Sequence, residues 1–458
     1  MSVTAMNHSA TVQPAPPHAA DAVRTAPGPA SHFDVLIVGA GPAGLSLAQR
    51  LKPLGLRVAL VEQSPREALA QPAFDGREIA LTHHSAQLMR QLGLWAHLPT
   101  EAISPLRDAR VLDGPNPFAM TISHADAPAV NGVVPSELGY LVGNHHIRRA
   151  AFEALAAVDA ENFKQKSAYS LDKKEKSAIY VDVVPPVLFA GQAVQSVATD
   201  DDVARVTLAN GQVLTAELLV AADSRHSSTR RALGLAADMH DFGRSMLVCA
   251  MTHDAPHHHA AWEWFDYGQT LALLPMNPCP ATGMQRSSVV LTLPSSEMQA
   301  VEVLEPSAFN DAMQQRFANR LGRMTLASTR HVYPLVAVYP KRLVGRRLAC
   351  VGDAACGMHP VTAHGVNLGL KSVEALATEL QRARRLGRSL ADPAVLSRYE
   401  RTHWLASRPT YLATQLVAGL YTSESAPARL ARHVALRVGQ KLAPFRQMVA
   451  ASLTGARG

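Results

Sequence analysis

Three glycines near the start of the chain have the types and spacing needed to hold a phosphate. Gly39, Gly41 and Gly44 follow the apolar run FDVLIV and precede a helix-compatible pattern of Leu and Ala. In such a turn the first glycine makes the tight bend, the second lets the backbone approach a pyrophosphate, and the third lets helix and strand pack closely. The helix N-terminus adds unpaired N–H groups and a positive dipole. The pattern predicts a dinucleotide site, with Ala43 in the same motif.

An acidic residue completes this motif at the end of a second apolar run. The run LRVALVEQ places Glu62 about twenty residues downstream, where a carboxylate can accept hydrogen bonds from both ribose hydroxyls. A basic residue would be expected there if the ligand carried a 2′-phosphate. The motif therefore favours NAD or FAD over NADP.

A second glycine-rich stretch, LACVGDAACGMHPVTAHGVNLGL, begins at Leu348 and has the pattern of a strand, a loop and a helix. Its glycines are Gly352, Gly357, Gly365 and Gly369. Glycine where side chains would normally pack indicates a tight turn or the close approach of a group that is not protein. We expect both glycine-rich stretches to hold the same ligand.

Composition limits the class of protein. The 458 residues are 47% hydrophobic and 18% charged, which allows a large core and two or three domains. The net charge of +7 favours an anionic partner. Nucleic acid is not expected, because aromatic residues make up only 5% and no basic tract is interleaved with rings. The four cysteines form no C-x-x-C pair, so the redox disulfide of two-nucleotide flavin reductases is excluded.

Histidines do not predict a metal site. His83, His84 and the run His257 to His259 have no acidic or Cys partners at ligand spacing. We therefore expect no bound metal.

The order of patterns along the chain predicts an α/β fold. It consists of a Rossmann-like dinucleotide-binding domain that is discontinuous in sequence, an interleaved β-sheet substrate domain and a helical C-terminal tail. The predicted divisions are a disordered tail (1–31), the dinucleotide domain (32–102, 143–241 and 340–388), the substrate domain (103–142 and 242–339) and the C-terminal helical region (389–458).

Two segments suggest surfaces rather than core. The Lys-rich segment 161–183 is interpreted as a solvated insertion, with a partner-binding patch as the alternative. The final run ARLARHVALRVGQKLAPFRQMVAASL is a basic amphipathic pattern that could contact an anionic membrane, although packing on its own domain or on a dimer mate is favoured. A homo-oligomer is left open.

With no signal-peptide pattern and no membrane-spanning run, we expect a cytoplasmic protein.

Several stretches together resemble the single-component FAD aromatic hydroxylases, and among them those of ubiquinone biosynthesis. They are GAGPAG with Glu62, DGREIAL around Arg77, NHHIRRA from Asn144, LLVAADS with Asp223, and GDAACGMHPVTAHGVNLGL. The resemblance implies FAD as cofactor, NADH or NADPH as reductant and O2 as co-substrate. It also implies hydroxylation of a prenylated phenol or quinol ring through a flavin C4a-hydroperoxide, with the ring position left open.

The resemblance also implies roles for residues of the second glycine-rich stretch. Asp353 would bind ribityl or ribose oxygens, and Pro360 would shape the loop below the flavin ring. Gly365, Val366 and Asn367 would meet the ring at a helix N-terminus. The helix dipole and free N–H groups there would favour the anionic reduced flavin.

Further roles are implied with alternatives left open. Arg77 and Arg148 would approach the flavin or the pyrophosphate, although either has the alternative of an ordinary surface arginine. His364 stands where many relatives have Gln, and it is a candidate proton acceptor, with a structural histidine as the alternative.

The run YGQTLALLPMNPCP is predicted to form the roof of the substrate pocket. In this interpretation Leu273, Leu274, Pro275 and Met276 offer an apolar wall to a prenylated ring.

Two departures from the family pattern leave other functions open. Ser224 stands where the family usually has Gly, and Cys356 where it usually has His. These changes would permit a FAD-binding or flavin-free scaffold subunit of a quinone-synthesis complex. A flavin-dependent halogenase is less favoured, because the WEWF run lacks the Ile-Pro continuation and no lysine lies between Lys52 and Lys164.

Overall fold

The computed structural model describes residues 32–115, 118–129, 132–161, 166–169, 179–266, 268–358, 365–422 and 426–455. The predicted disordered tail, the cofactor candidate Pro360 and the catalytic candidate His364 lie outside the described residues. Most of the Lys-rich segment lies outside them as well, apart from a short antiparallel strand pair.

The strands, numbered along the chain, are β1 (His32–Val38), β2 (Val58–Glu62), β3 (Glu78–Leu81), β4 (Ser104–Leu106), β5 (Asp108–Asp113), β6 (Ala119–Ser123), β7 (Gly139–Gly143), β8 (Lys166–Tyr169), β9 (Ile179–Asp182), β10 (Val187–Ala190), β11 (Val194–Thr199), β12 (Ala204–Leu208), β13 (Val213–Ala221), β14 (Ala237–His253), β15 (Ala260–Asp266), β16 (Gln269–Met276), β17 (Gln285–Pro294), β18 (Met324–Leu326), β19 (His331–Pro340), β20 (Val344–Gly345) and β21 (Leu348–Cys350).

The α-helices are α1 (Pro42–Leu51), α2 (Arg66–Ala70), α3 (His83–Gln91), α4 (Asn144–Glu161), α5 (Ser228–Ala232), α6 (Ser295–Glu302), α7 (Pro306–Arg316), α8 (Gly365–Arg385), α9 (Pro393–Thr422), α10 (Ala426–Lys441) and α11 (Ala443–Thr454).

The first sheet has the order β10-β2-β1-β13-β12-β11, with β21 also paired to β13. Strands β10, β2, β1, β13 and β21 of this sheet run parallel. Val35, Leu36 and Ile37 of β1 are fully buried, as expected for a parallel strand covered on both faces. The strands come from widely separated segments, so the chain returns to this sheet late, at β21.

The second sheet has the order β18-β14-β17-β16-β15-β5-β6, with β19 also paired to β14. Leu271 and Leu273 of β16 point to one face, where they share a core with Phe309 and Phe317 around α7. Successive residues of a strand face opposite sides. Leu274 therefore points to the other face, where it packs against a separate cluster that includes residues of α10 and α11.

The C-terminal helices cover part of that other face. Two ion pairs hold them there, with distances of 3.3 Å between Arg432 Nε and Asp113 Oδ1 and 3.1 Å between Arg446 Nε and Asp126 Oδ1. Within the part of the chain that the structure describes, no helix has the length and apolarity to cross a bilayer.

A small third sheet, β3-β7-β4, joins the two large ones. β3 pairs antiparallel with β7, which places Glu78 opposite Gly143. On the far side of this sheet, the Ser104 hydroxyl of β4 accepts a hydrogen bond from the Asn277 N–H, which follows β16 in the second sheet. The third sheet therefore connects β3 and β7 to the second sheet.

Most of the sequence-predicted elements are present, but one helix is shorter than expected. The pattern from Pro306 predicts a helix to about Gly322, whereas α7 ends at Arg316. Ala318 and Asn319 adopt positive φ angles of 49° and 56°. Left-handed backbone at these residues cannot continue a right-handed helix.

Candidate functional site

The turn after β1 requires glycine at two positions for different reasons. Gly39 has a φ of +106°, and a Cβ there would lie 2.4 Å from the Ala222 carbonyl oxygen. A Cβ at Gly44 would lie 2.0 Å from the Gly39 carbonyl oxygen. These short distances show that the turn is packed closely between β13 and the first turn of α1, with no room for a side chain at either residue.

Gly41 serves a third purpose, because a Cβ at this residue would meet nothing within 4 Å. Gly41 is the N-cap of α1, and no side chain caps the helix there. Orphan N–H groups at a helix N-terminus that faces open space form a ready anion site. The turn from Gly39 to Gly44 and the N-terminus of α1 therefore form a cradle that fits the pyrophosphate of a dinucleotide.

Glu62 ends β2 beside this cradle. Its Oε2 accepts a hydrogen bond of 2.8 Å from the Ala40 N–H, and its Oε1 accepts one of 2.9 Å from the Ser64 N–H. Each carboxylate oxygen has a second lone pair for a further donor. The carboxylate is thus oriented by the backbone and retains acceptor capacity for ribose hydroxyls.

The second glycine-rich stretch packs directly against the first. Gly352 has a φ of +63°, and a Cβ there would lie 2.7 Å from Ala43 Cβ. Gly369 of α8 lies over Gly352, because its added Cβ would be 3.4 Å from Gly352 Cα. The Gly352 N–H donates to the Ser372 hydroxyl at 2.9 Å. The N-terminal part of α8 is therefore held close to the cradle.

The first turn of α8 contains the three residues expected beside a flavin ring. Gly365 faces open space, and Val366 packs partly buried on the core of the first sheet. Asn367 is buried, with its Oδ1 accepting from the Thr82 N–H at 3.0 Å and its Nδ2 donating to the Ala80 carbonyl at 2.8 Å. Asn367 thus ties α8 to β3.

Asp353 lies in the turn between β21 and α8. Its Oδ2 is 3.5 Å from Nη2 of Arg225, and its side chain is 42% exposed. The carboxylate therefore remains open to a polar ligand on the solvent side.

Arg77 is held in a network that sequence reasoning missed. Its Nη2 donates to Asp75 Oδ2 at 2.6 Å, and its guanidinium lies 5.4 Å from the centre of the Tyr333 ring. Asn144 Nδ2 donates to the same Asp75 oxygen at 2.7 Å. Although burial acts to raise it, the pKa of Asp75 is lowered by Arg77 and by the Asn144 hydrogen bond. Arg148 lies on α4, one turn after Asn144, and is half-buried.

A cavity of 340 Å³ opens between the third sheet and the second sheet. It is lined by residues of β3, the start of α4, β14, β16 and β17, among them Glu78, His145, His146, Ala250, Met276 and Arg286. A cavity of this size, with mixed apolar and polar walls, is typical of a small-molecule site.

Burial sets the protonation of the cavity walls. It raises the pKa of Glu78 to about 8, against the opposing effect of Arg286. Burial also lowers the pKa of His145, and it lowers that of His146 to about 4. At neutral pH both imidazoles are uncharged and the Glu78 carboxyl is mostly protonated.

The predicted roof residues separate by strand alternation. Met276 lines the cavity. Leu273 is fully buried in the core on the opposite face of the sheet, and Pro275 is buried as well. Leu274 shares the face of Met276 but packs against the cluster under the C-terminal helices. Only Met276 of these four is part of the cavity lining.

The two departures from the family pattern have local effects. Ser224 adopts a φ of +149°, in a region that favours glycine. Cys356 is buried in an apolar cluster with Tyr339 and Tyr411, and burial raises its pKa to about 12. Cys356 is therefore a packing residue with an unreactive thiol.

The histidines considered for metal binding are engaged by the protein. His83 Nε2 is 2.8 Å from the Glu137 carbonyl oxygen, and His84 Nε2 is 2.9 Å from Glu374 Oε2. His257 Nε2 is 3.0 Å from the Met276 carbonyl oxygen. Across the described ranges, no three His, Cys, Asp or Glu side chains are grouped to hold a metal ion.

Glu78, Asp75 and Asn144 were not singled out by sequence reasoning. The available signal was the stretch DGREIAL, in which a carboxyl group directly precedes three apolar residues of a short strand. A charged residue at a strand position that is half-buried indicates a paired or functional group.

Comparisons with known proteins agree with this geometry. The family model described as "FAD binding domain" matches residues 32–404. The chain is 42% identical over 425 residues to "Ubiquinone hydroxylase UbiM" of Neisseria meningitidis, covering 93% of this chain and 85% of that protein. It is 31% identical to "Ubiquinone hydroxylase UbiL" of Rhodospirillum rubrum, covering 91% of this chain and 88% of that protein.

The fold has a solved counterpart. The structure of P. aeruginosa PqsL in complex with 2-aminobenzoylacetate aligns with a TM-score of 0.66 at 22% identity, covering 88% of this chain and 99% of that chain. The glycine cradle, the Glu62 carboxylate and the match over most of the chain lead to one conclusion: this protein belongs to the FAD binding domain family.

Proposed function

We propose that this protein is an NAD(P)H- and O2-dependent flavin monooxygenase that hydroxylates the ring of a prenylated phenol or quinol in ubiquinone biosynthesis. The observation that carries the proposal is the 42% identity, over 93% of the chain, to a protein named as a ubiquinone hydroxylase. The scaffold-subunit and halogenase alternatives gain no support from the relatives described above.

The first part of the proposal concerns how the chain holds FAD. The N-terminus of α1 at Gly41 binds the pyrophosphate, Glu62 binds ribose hydroxyls and Asp353 binds a ribose or ribityl oxygen. The first turn of α8, from Gly365 to Asn367, lies beside the isoalloxazine ring. The open space at Gly41 and Gly365 supports these assignments. When bound, FAD supplies the transfer of electrons from NAD(P)H to O2 and of one oxygen atom to the ring.

The second part concerns the ring of the substrate. The cavity beside β3 contains Met276, Ala250 and Phe74 as apolar wall, with polar groups at Glu78 and Arg286. Asn367 bonds to β3 at Ala80, two residues from Glu78, so this strand connects the α8 end to the cavity. A substrate ring held between the first turn of α8 and the cavity would be oriented by both, and the cavity walls would exclude water from it.

The experiment is spectroscopy of the purified protein, followed by NAD(P)H oxidation with and without a short-chain prenylphenol. We expect bound yellow flavin, faster NAD(P)H oxidation with the phenol, and a product that has gained one oxygen atom. Protein that stays colourless after addition of FAD would refute the proposal. Bound FAD without any substrate-stimulated oxidation would favour the scaffold alternative.

The proposal also includes peripheral contact with a membrane through the C-terminal helices. Five apolar side chains on α10, on α11 and at the junction between them are each at least 37% exposed; they are Val434, Val438, Leu442, Phe445 and Met448. Val434 and Val438 lie four residues apart and share one face of α10, and Leu442 follows as the N-cap of α11. Arg432, Leu436 and Gly439 instead pack against β5 and β6. One face of α10 therefore packs on its own domain, as the sequence favoured. Its other face carries the exposed apolar stripe.

Arg437 and Lys441 flank this stripe and are exposed. An exposed apolar stripe with basic flanks is typical of a helix that lies on an anionic lipid surface. The test is sedimentation with phosphatidylglycerol vesicles, with phosphatidylcholine vesicles as the comparison. We expect binding to the anionic vesicles and its loss in Leu442→Asp. If the protein binds neither kind of vesicle but forms a dimer that Leu442→Asp disrupts, the stripe is an interface with a second copy of this chain.

A further inference from the structure

Glu78 occupies an unusual position for a carboxyl group. It lies on β3 directly opposite Gly143 of β7. A Cβ at Gly143 would be 3.2 Å from Glu78 Oε1, so glycine at this position leaves the room that the carboxyl occupies. The structure records no hydrogen bond from a described residue to the Glu78 carboxyl. Its oxygens line the cavity and remain available to a ligand.

The charge environment of Glu78 is balanced between opposing groups. Arg286 faces it from β17 and favours the carboxylate, whereas Asp75 opposes it. Arg286 is positioned by its Nε hydrogen bond of 3.2 Å to the Asn277 carbonyl and pairs across the sheet with Met276. The other titratable groups around the cavity or its network are Arg77, Glu101, His145, His146, Tyr333 and His331. Burial raises the pKa of Tyr333, so its phenol stays protonated in the same pH range. The imidazoles of His145 and His146 have lowered pKa values and stay uncharged near neutral pH.

Glu78 lies on the strand that is bonded to the expected flavin position. Asn367, in the first turn of α8, donates to the Ala80 carbonyl. Residues 78 and 80 of one strand are separated by about 7 Å and point to the same face. The strand that carries Glu78 into the cavity is thus bonded to the first turn of α8, which we propose lies beside the flavin ring.

We propose that the Glu78 carboxylate accepts the proton of the substrate's ring hydroxyl in this cavity, an inference that rests on the ring hydroxylation proposed above. In this step the ring O–H bond breaks, an O–H bond forms on a Glu78 oxygen, and the electron pair stays on the ring oxygen. The ring becomes more electron-rich, which favours attack on an electrophilic oxygen. Arg286 stabilises the carboxylate beforehand and is a positioning residue.

The pKa of about 8 supports this role, because a proton acceptor works best when its pKa lies near the operating pH. The ionised, accepting form of Glu78 increases as the pH rises toward 8. The rate of hydroxylation should therefore rise over the same interval. Neutral His145 and His146 do not add a charge change there.

The test compares wild type, Glu78→Gln and Glu297→Gln as FAD-loaded proteins, with a short-chain prenylphenol as substrate. Glu297 is exposed on α6, so its variant is the matched control and should behave as wild type. We expect Glu78→Gln to form hydroxylated product about 10² to 10⁴ times more slowly. It should also lose the rise in kcat with pH and release more of the consumed O2 as H2O2.

Product formation and a pH profile equal to wild type in Glu78→Gln would overturn the inference. If Glu78→Gln does not retain FAD, Glu78→Asp takes its place, and an unaltered pH profile in that variant would equally overturn it. Failure of the wild type to oxidise NAD(P)H with any prenylphenol is a different result. It would reject the proposed function itself, and the role of Glu78 with it.

Discussion

The Glu62 carboxylate at the end of β2 accepts a hydrogen bond of 2.8 Å from the Ala40 N–H in the turn after β1. Two adjacent parallel strands are thereby joined at their carboxyl ends by the residue that is proposed to bind ribose. Ligands of such sheets bind outside the carboxyl ends of the strands. The position of the carboxylate therefore depends on the same strand pairing that builds the glycine turn.

The glycine turn gives a matched pair of substitutions. Gly39→Ala should destabilise the fold by about 2 kcal/mol or more, because the new Cβ would meet the Ala222 carbonyl at 2.4 Å in backbone with a φ of +106°. Gly41→Ala should change stability by less than about 0.5 kcal/mol, since nothing lies within 4 Å. It should nevertheless weaken FAD binding about tenfold or more, because the methyl group occupies the pyrophosphate space. Urea unfolding and FAD titration measure the two effects.

Equal loss of stability in both variants would contradict this account of the turn. Wild-type FAD affinity in Gly41→Ala would show that the pyrophosphate lies elsewhere.

Asn367 should be important for stability as well as for the proposed site. Asn367→Ala leaves the Thr82 N–H and the Ala80 carbonyl without their partner in a buried position. Each buried unsatisfied group costs about 1–3 kcal/mol, so we expect a loss of roughly 2–4 kcal/mol in urea unfolding. Arg384→Ala, at an exposed position on the same helix, is the control and should be near neutral. A similarly small effect in both would mean that α8 is held without this tie.

Ser224 should carry backbone strain that glycine would remove. Its φ of +149° lies where side chains are rarely tolerated. Ser224→Gly should therefore raise the free energy of unfolding by about 1 kcal/mol, seen as a higher Tm. Ser224→Ala keeps the Cβ and should show no gain. A gain in both variants would assign the effect to the hydroxyl rather than to the backbone.

Glu263 should make stability depend on pH. Burial raises its pKa to about 8 from an ordinary value of 4.5, so the folded protein binds the proton more tightly than the unfolded chain does. The stabilising effect is complete below the unfolded value and is lost as the pH rises toward 8. Because the side chain is only partly enclosed, the loss should be roughly 2–4 kcal/mol rather than the full linkage value.

Glu263→Gln should remove this dependence, leaving the variant more stable than wild type at pH 8 and little different at pH 4.5. Unfolding by urea across this interval measures it, with the exposed Glu297→Gln as control. Parallel pH curves for wild type and Glu263→Gln would show that Glu263 does not titrate in this range.

Local patterns were sufficient for the parts of the site that depend on neighbours in sequence. The spacing of Gly39, Gly41 and Gly44 predicted the turn, and the end of an apolar run predicted the position of Glu62. Strands of a parallel sheet are covered on both faces and appear in the sequence as continuous apolar runs. β1 and β2 could therefore be predicted from the sequence alone. The resemblance predicted FAD, which the family match supports.

Strand alternation decided what the sequence could not. Leu273, Leu274 and Met276 have similar side chains, and the roof prediction treated them alike. The register of β16 places Leu273 in the core against α7, while Met276 faces the cavity. Only the pairing of β16 with its neighbours fixes which alternate set points inward.

Contacts between distant segments were also beyond local patterns. Residues 78 and 286 line one cavity because β4 and β7 of the small third sheet lie against β16 of the second sheet. Asn367 reaches Ala80 of β3 across 287 residues of chain. The sequence by itself determined which residue types could bind a dinucleotide and in what order. The tertiary structure decided which polar groups share one cavity, because burial and charge there depend on partners that only folding brings within reach.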